Sequence, residues 1–437
     1  MAEFFSDIPD ILFEGRDSKN PLSFKHYEAD AMVEGRSMRE HLRFACAFWH
    51  TMRNDLSDPF GAGTAIMPWD DGTSSDQNTE RRINAFFEFL DKMGIDHYCF
   101  HDRDVAPAGA SIDETNRNLD RVVGILERRQ DQHGKKLLWG TACLFDHPRY
   151  VHGAATSASI DVFAHAGGQV RRAIDATHHL GGSGYVFWGG REGYSSLINT
   201  DMPRERENLA RFLDMAVDYR RRIGFEGRFY IEPKPKEPTS HQYDFDVATC
   251  LDFLREFDLV EEFMLNIETN HATLASHSME HELRSAAAAG VLGSIDANMG
   301  HPHLGWDTDH FPTDLVLATQ IMRVVLEQGG LGEGGLNFDA KRRRGSFEPV
   351  DLFHAHIAGM DTFARGLKIA AAIRSDRRLD DAIQSRYASW DSPLGDSIRS
   401  GQCTLEDLEK HAIEVGEPAI ESGREEMLEA MFNDFLR

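Results

Sequence analysis

Four short apolar segments in the second half of this 437-residue chain each end in a carboxylate: Phe229–Glu232, Phe263–Glu268, Leu292–Asp296 and Leu336–Asp339. One acid at the end of a strand-like segment is ordinary. Four acids on consecutive segments converge if those segments are neighbouring strands, and carboxylates brought together repel strongly. A divalent cation is the simplest neutraliser. Further donors stand close by: His271, three residues beyond Glu268, and Asp307 with Asp309 in Gly305-Trp-Asp-Thr-Asp309. Alternate residues of extended chain face one side, so Asp307 and Asp309 are expected to grip one ion together. The set Glu232, Glu268, His271, Asp296, Asp307, Asp309 and Asp339 exceeds the needs of one hydrated cation. It implies two neighbouring ions with one carboxylate bridging. Oxygen-rich ligation with one imidazole and no thiolate favours Mg, Mn or Co over structural Zn.

Lys234 lies two residues past Glu232 in Glu232-Pro-Lys-Pro-Lys-Glu-Pro238. The prolines keep that stretch extended, and the ammonium is placed to polarise a carbonyl oxygen. His101 ends another apolar segment, with Asp104 three residues on. The pair suggests an imidazole oriented through Nδ1–H, leaving Nε2 for a substrate hydroxyl. Trp49, Trp139, Phe145 and Trp188 end or line neighbouring segments. Their rings suit the apolar faces of a sugar, or the filling of a barrel core.

Positioning these groups requires a regular frame. Strand-like segments are predicted at Phe44–Trp49, His97–His101, Leu137–Cys143 and Tyr185–Trp188, as well as the four above. Between them, Leu119–Arg128, Asn208–Ile223, Asp246–Phe257 and Asp314–Gln328 carry apolar residues at three- and four-residue steps. Alternating strands and helices predict parallel βαβ units. Eight such units suggest an α/β fold of the TIM (β/α)8 barrel type, an open doubly wound sheet being the alternative. The expected organisation is an N-terminal extension over 1–44, a catalytic barrel over 45–375 that includes a long helix at Leu352–Ile373, and a C-terminal helical arm over 376–437. The arm has too few apolar residues for its own core, so it is expected to pack on the barrel or on another subunit.

The charge balance excludes some functions. Lys and Arg number 47 and Asp and Glu 72, a net charge of −25. Such a surface repels phosphate backbones and anionic membranes, so neither nucleic acid nor membrane is an expected partner. There is no signal-peptide pattern and no apolar run of spanning length. The five cysteines, Cys46, Cys99, Cys143, Cys250 and Cys403, are odd in number and widely spaced. They point to reduced thiols and a cytoplasmic location. Gly330-Leu-Gly-Glu-Gly-Gly335 matches the dinucleotide pattern but precedes a strand instead of following one, so it reads as an αβ loop. His277-Ser-Met-Glu-His281 matches an inverted zinc-protease pattern, yet its segment is expected on the barrel exterior. Lys341-Arg-Arg-Arg344 reads as a local ion-pairing loop.

Together the segments Phe100-His-Asp-Arg-Asp104, Phe187-Trp-Gly-Gly-Arg-Glu-Gly193, Ile231-Glu-Pro-Lys-Pro-Lys-Glu-Pro238, Asn270-His-Ala-Thr-Leu274, Gly305-Trp-Asp-Thr-Asp309 and Asn337-Phe-Asp-Ala-Lys341 resemble xylose isomerase. The long N-terminal extension resembles the class II branch. The resemblance implies a TIM barrel whose C-terminal arm embraces a neighbour, usually in a homotetramer. It implies interconversion of D-xylose and D-xylulose, and of D-glucose and D-fructose, by ring opening and a C2-to-C1 hydride shift. By resemblance, His101 with Asp104 assists ring opening. One cation is held by Glu232, Glu268, Asp296 and Asp339 and binds sugar hydroxyls. The other, held by Glu268, His271, Asp307 and Asp309, activates a water and polarises the carbonyl. Mg is the foremost candidate, and Lys234 meets O1. Phe60, in Asp58-Pro-Phe-Gly61, resembles a phenylalanine that reaches into a neighbour's site. Trp139 and Val186 resemble pocket-wall positions. The chain departs from the usual pattern at Asn298-Met-Gly-His301 and at His310, where glutamine is usual. A related sugar epimerase, a phosphodiester hydrolase and an inactive binding barrel are the competing readings. The charge of −25 opposes the hydrolase.

Overall fold

The computed structural model describes residues 4–437. Eight parallel strands form a closed barrel in chain order: β1 (Phe44–Ala47), β2 (His97–His101), β3 (Lys136–Thr141), β4 (Gly184–Trp188), β5 (Arg228–Glu232), β6 (Phe263–Glu268), β7 (Leu292–Asp296) and β8 (Leu336–Phe338). The last strand closes on the first through Leu336↔Phe44, Asn337↔Ala45 and Phe338↔Cys46. That pairing decides for the barrel over the open sheet. Strand periodicity divides the apolar residues between two cores. Cys99 points inward with Ala45, Leu138, Trp139, Val186 and Tyr230. Its neighbours Tyr98 and Phe100 join the outer core beneath the helices.

The outer layer comprises α1 (Asp76–Met93), α2 (Ile112–His133), α3 (Ile160–His179), α4 (Met202–Ile223), α5 (Val247–Glu256), α6 (Met279–Ala288), α7 (Leu315–Glu327) and α8 (Val350–Asp376). Ser75, Ser111, Asp201, Asp246, Ser278 and Asp314 cap the starts of six of them with side-chain acceptors. The periodic stretches read from sequence coincide with α5 and α7 within a residue and form the cores of α2, α4 and α8. In α1 the closely spaced Phe86, Phe87, Phe89 and Leu90 are all buried and blur the helical period. In α3 the pair Gly167-Gly168 interrupts it. Three strand ends also move. β1 stops at Ala47, and Trp49–Arg53 forms a π-helical turn, so Trp49 is not a strand residue. β3 stops at Thr141 and β8 at Phe338.

The N-terminal extension is tied to the helical layer by specific acceptors. The Asp361 carboxylate on α8 accepts the backbone N–H groups of Lys25, His26 and Tyr27. Glu88 on α1 accepts those of Phe4 and Phe5. Phe5 is buried against Trp69, Phe89 and Phe353. At the other terminus four helices follow α8: α9 (Arg378–Tyr387), α10 (Pro393–Arg399), α11 (Leu405–Val415) and α12 (Glu425–Phe435). Leu428, Met431, Phe432 and Phe435 of α12 pack back on Ile369 and Ile373 of α8. Leu405, Ile413 and Ile420 are exposed. All five cysteines are free thiols, four of them buried. No helix is long and apolar enough to cross a membrane among the described residues.

The Gly330–Gly335 run joins α7 to β8, so its glycines serve packing. A Cβ on Gly334 would stand 1.8 Å from the carbonyl oxygen of Gly293, too close for any side-chain rearrangement to relieve. Gly334→Ala is therefore expected to force the loop off β7 and destabilise the fold by about 1–3 kcal/mol or more. A lowered midpoint in urea titration would bear this out; an unchanged midpoint would contradict it.

Candidate active site

The carboxyl ends of the strands surround a cavity of about 600 Å³. Its lining includes His101, Lys234, Trp49, Trp139, Val186, Trp188, Glu232, Glu268, His271, Asp307, Asp309 and Asp339. Asp296 lies deeper, fully buried at the end of β7, and Asp104 stands behind His101. Phe60 is the exception: it is 84% exposed, outside the cavity, with its ring 6.3 Å from that of Trp306.

Sheet register brings the first acids together. Glu268 of β6 pairs directly with Asp296 of β7, and Asp339 follows the end of β8. Ligand oxygens of Glu232, Glu268, Asp296 and Asp339 all lie within 4.8 Å of one another. The same limit holds for Glu268, Asp307 and Asp309, and for Glu232, Glu268 and His271. Glu268 belongs to every group and stands at the junction. Asp307 and Asp309 converge, but not as alternate residues of extended chain: Asp309 has φ +44°, a left-handed conformation uncommon outside glycine and asparagine. The turn at Asp309, not strand periodicity, brings the two together.

Burial sets the electrostatics. Burial and then the neighbouring Asp296 push the Glu232 carboxyl far above its ordinary value. Burial, Asp307 and Asp339 do the same to Glu268. Burial and Asp339 push Asp296 up to about 8. Burial opposes ionisation of Asp307 as well, but Lys234 and His271 hold it well below the usual range. Lys234 Nζ donates to Asp307 Oδ2 at 2.6 Å and stands 5.1 Å from the Trp188 ring. Burial works against its charge, and Asp307 more than restores it.

The donor set fits hard divalent cations with some imidazole character. His271 Nε2 lies 3.1 Å from Glu268 and 3.2 Å from Asp307, while its buried Nδ1 has no hydrogen-bond partner. That orphaned nitrogen is 3.8 Å from Glu232 Oε1, within a group that a cation would satisfy.

Several residues at this site were not expected from the sequence. His50, in the π-helical turn, sets Nε2 3.0 Å from Asp339 and 3.4 Å from Asp309. Burial lowers its pKa, but Asp339 and Asp309 outweigh burial and push it up to about 9. Lys341 Nζ donates to Asp309 Oδ2 at 3.0 Å. Three buried asparagines hold the acids apart and in place. Asn266 donates to Glu232 and Asp296, Asn298 to Glu268, and Asn337 to Asp296. Each stands two residues from a ligand, in Asn266-Ile-Glu268, Asp296-Ala-Asn298 and Asn337-Phe-Asp339. The inward-facing period of two was the signal that would have found them. His50 carried no such signal, because a π-helical turn has no strand period.

Opposite the acids, His101 Nδ1 and Asp104 Oδ2 are 2.8 Å apart. Trp49 lies 4.3 Å from the His101 ring and donates Nε1–H to Asp339 Oδ1 at 2.8 Å. Trp139 and Trp188 have buried indole N–H groups without a protein partner. His301, His303 and His310 cluster among themselves and join none of the acidic groups.

A barrel whose mouth carries two linked cation-binding clusters beside an oriented imidazole defines a metal-dependent enzyme of small polar substrates. The fold resembles that of D-psicose 3-epimerase from Clostridium cellulolyticum H10, solved with D-tagatose (TM-score 0.51, 11% identity, 74% of this chain and 99% of that one). Residues 383–436 match the XylA2 C-terminal domain. The chain is 56% identical over 433 residues to the xylose isomerase of Rhodopirellula baltica, covering 99% of each chain. It is 54% identical over 433 residues to that of Geobacillus stearothermophilus, covering 99% of this chain and 98% of the relative. The chain belongs to the xylose isomerase family.

Protons and cations compete for the raised carboxyls. At pH 7 a carboxyl with a pKa of about 8 is mostly protonated in the metal-free protein, so binding of a divalent cation such as added Mg is expected to expel protons. Mg affinity is expected to fall as pH drops below 8. Titration calorimetry at pH 7 in two buffers of different ionisation enthalpy reads the release directly. Equal heats in both would show that the acids are already ionised.

Proposed function

We propose that this protein interconverts D-xylose and D-xylulose, and acts also on the D-glucose and D-fructose pair. The reading rests on full-length relatives bearing that activity in their names. The observation that carries it is the juxtaposition of two acidic clusters with the His101–Asp104 pair and a tryptophan-lined wall. Aromatic faces beside charged oxygens favour a polyol, which has both apolar C–H faces and hydroxyls.

Two divalent cations per subunit, Mg foremost and Mn or Co as alternatives, fit the two linked acidic clusters. Lys234, Lys341 and His50 offset only part of the charge of Glu232, Glu268, Asp296, Asp307, Asp309 and Asp339 once these are ionised, and cations would offset the rest. Glu232, Glu268, Asp296 and Asp339 would hold one, and Glu268, His271, Asp307 and Asp309 the other. When bound, they supply Lewis-acid stabilisation of negative charge on the substrate's oxygens.

The chain's own groups do the rest. His101 Nε2 takes the anomeric hydroxyl proton as the bond from C1 to the ring oxygen breaks and delivers it to the ring oxygen, which becomes a hydroxyl, while Asp104 fixes the opposite nitrogen and stabilises the imidazolium. Lys234 donates to O1 of the open-chain aldehyde. Hydrogen then passes from C2 to C1 with its electron pair; O2 loses its proton and becomes the carbonyl oxygen, and O1 gains a proton as a hydroxyl. Trp49, Trp139 and Trp188, with Val186 on the wall, exclude water from the moving hydrogen. An epimerase reading is weaker, because the full-length relatives at 54–56% identity are named xylose isomerase, whereas the likeness to an epimerase is one of fold at 11% identity.

The same reading extends to assembly. Residues 1–44 form an extension, 45–375 the catalytic unit and 376–437 an arm that contacts neighbours in a cytoplasmic homotetramer. The exposure of Phe60 and of Leu405, Ile413 and Ile420 favours such contacts, with Phe60 completing a neighbour's pocket.

The decisive experiment is ketose formation from D-xylose by metal-stripped protein with Mg, Mn or Co returned singly. Activity is expected only with metal; no ketose from folded, metal-loaded protein would overturn the assignment. His101→Ala should lower kcat by about 10²–10⁴-fold while metal binding persists. Glu268→Ala should abolish both turnover and metal binding, as befits the shared ligand. Full activity in both variants would displace the site.

A further inference from the structure

A second group of metal-type ligands lies outside the barrel mouth. His277 precedes α6, and His281 and Glu282 lie in its first turns. The ligand atoms of these three residues lie within 4.8 Å of one another. His277 Nε2 and His281 Nε2 each stand 4.0 Å from Glu282 Oε1. Asp246, the N-cap of α5, sets Oδ2 3.1 Å from His277 Nε2. Four ligand atoms at about 2.0–2.2 Å from a tetrahedral ion are about 3.4 Å from each other. The two imidazole–carboxylate separations of 4.0 Å exceed that value slightly, a gap that small side-chain rotations close.

The carboxylates are oriented for the purpose. Glu282 Oε2 accepts the Val247 N–H at 2.9 Å, which leaves Oε1 towards the two imidazoles. Asp246 Oδ1 accepts from Thr249 N–H and Oγ1, which leaves Oδ2 towards His277. Such outer hydrogen bonds fix ligand geometry in metal sites. The backbone is pinned as well: Ser278 Oγ accepts the His281 N–H, and the His277 N–H donates to Ala272 O. Glu282 is 5% exposed, and its Oε1 faces both imidazoles.

We propose that His277, His281 and Glu282 form a site for a borderline transition-metal dication, with zinc(II) as the best match and Asp246 as the carboxylate that orients His277. Two imidazoles with one carboxylate suit zinc, in contrast to the oxygen-dominated clusters at the barrel mouth. The site is not that of a zinc protease. Glu280, which the sequence motif would cast as general base, accepts instead from Arg284 Nε at 2.9 Å. Three ligands come from protein, which leaves the fourth position of a tetrahedral ion to water. The ion would fix His277 to the first turns of α6, where Glu282 and His277 already hold the start of α5 by hydrogen bonds, and brace the segment that follows Glu268 and His271.

The test is equilibrium dialysis against micromolar zinc(II), with millimolar Mg present throughout to occupy the barrel mouth. Wild type should hold one more zinc per chain than His281→Ala or His277→Gln. Glu280→Ala should match wild type. His281 is 61% exposed at its side chain, so its replacement should leave the circular dichroism spectrum and isomerase activity unchanged. Zinc should raise the Tm of wild type but not of His281→Ala. Equal zinc content in folded wild type and both histidine variants would overturn the proposal. So would loss of the extra zinc in Glu280→Ala.

Discussion

Mutual repulsion among six carboxylates buried at one end of the barrel is the constraint around which the rest of this structure is arranged. Neighbouring strands are fixed roughly 4.8 Å apart by their hydrogen bonds, so Glu268 and Asp296, paired across β6 and β7, cannot retreat from each other. The backbone offers no relief, and the answer has to come from side chains. Asn266, Asn298 and Asn337 thread amide donors between the acids. Lys234, Lys341 and His50 add positive charge from three different segments. Amide donors and two ammonium groups do not cancel the whole charge, and the residual potential is what makes the cavity a cation site.

The two acidic clusters differ in how they are held. Glu232, Glu268 and Asp296 end strands and inherit the rigidity of the closed barrel. Asp307 and Asp309 ride on the segment between β7 and α7. That segment is anchored by reciprocal backbone hydrogen bonds between Met299 and His310 and by the pairing of Asp307 with Lys234. A strand-borne cluster beside a loop-borne one gives one fixed and one adaptable position, a division suited to a substrate whose oxygens change charge during reaction. The departures from the family pattern at Met299, His301 and His310 fall on this loop and leave every ligand in place.

Opposite the acids the wall is aromatic, and its rings serve two ends. Trp49 packs on His101 and hydrogen-bonds Asp339, so one side chain links the imidazole to a ligand acid. Trp139 and Trp188 line the cavity, and their indole N–H groups are buried. An uncharged polyhydroxylated molecule suits such a mixture, and the net charge of −25 does not repel it as it would a polyanion.

Sequence periodicity alone determined the eight strands, their parallel order, the cores of the outer helices and the strand-end acids, because alternating apolar patterns and strand termini are local properties of the chain. The triplets Asn266-Ile-Glu268, Asp296-Ala-Asn298 and Asn337-Phe-Asp339 were equally legible, since inward-facing residues recur every second position. Tertiary structure decided what depends on distance in space. It closed the barrel through β8 and β1, and it folded Trp49–Arg53 into a turn that delivers His50 to Asp339. It turned the chain at Asp309 through a left-handed φ that no spacing rule anticipates. It also set Glu282, in place of Glu280 of the apparent motif, beside His277 and His281, and brought Asp246 to His277, because which side chains meet depends on how α5 packs beside α6. Local pattern specifies which residues face inward; only the packing of separate segments specifies which of them meet.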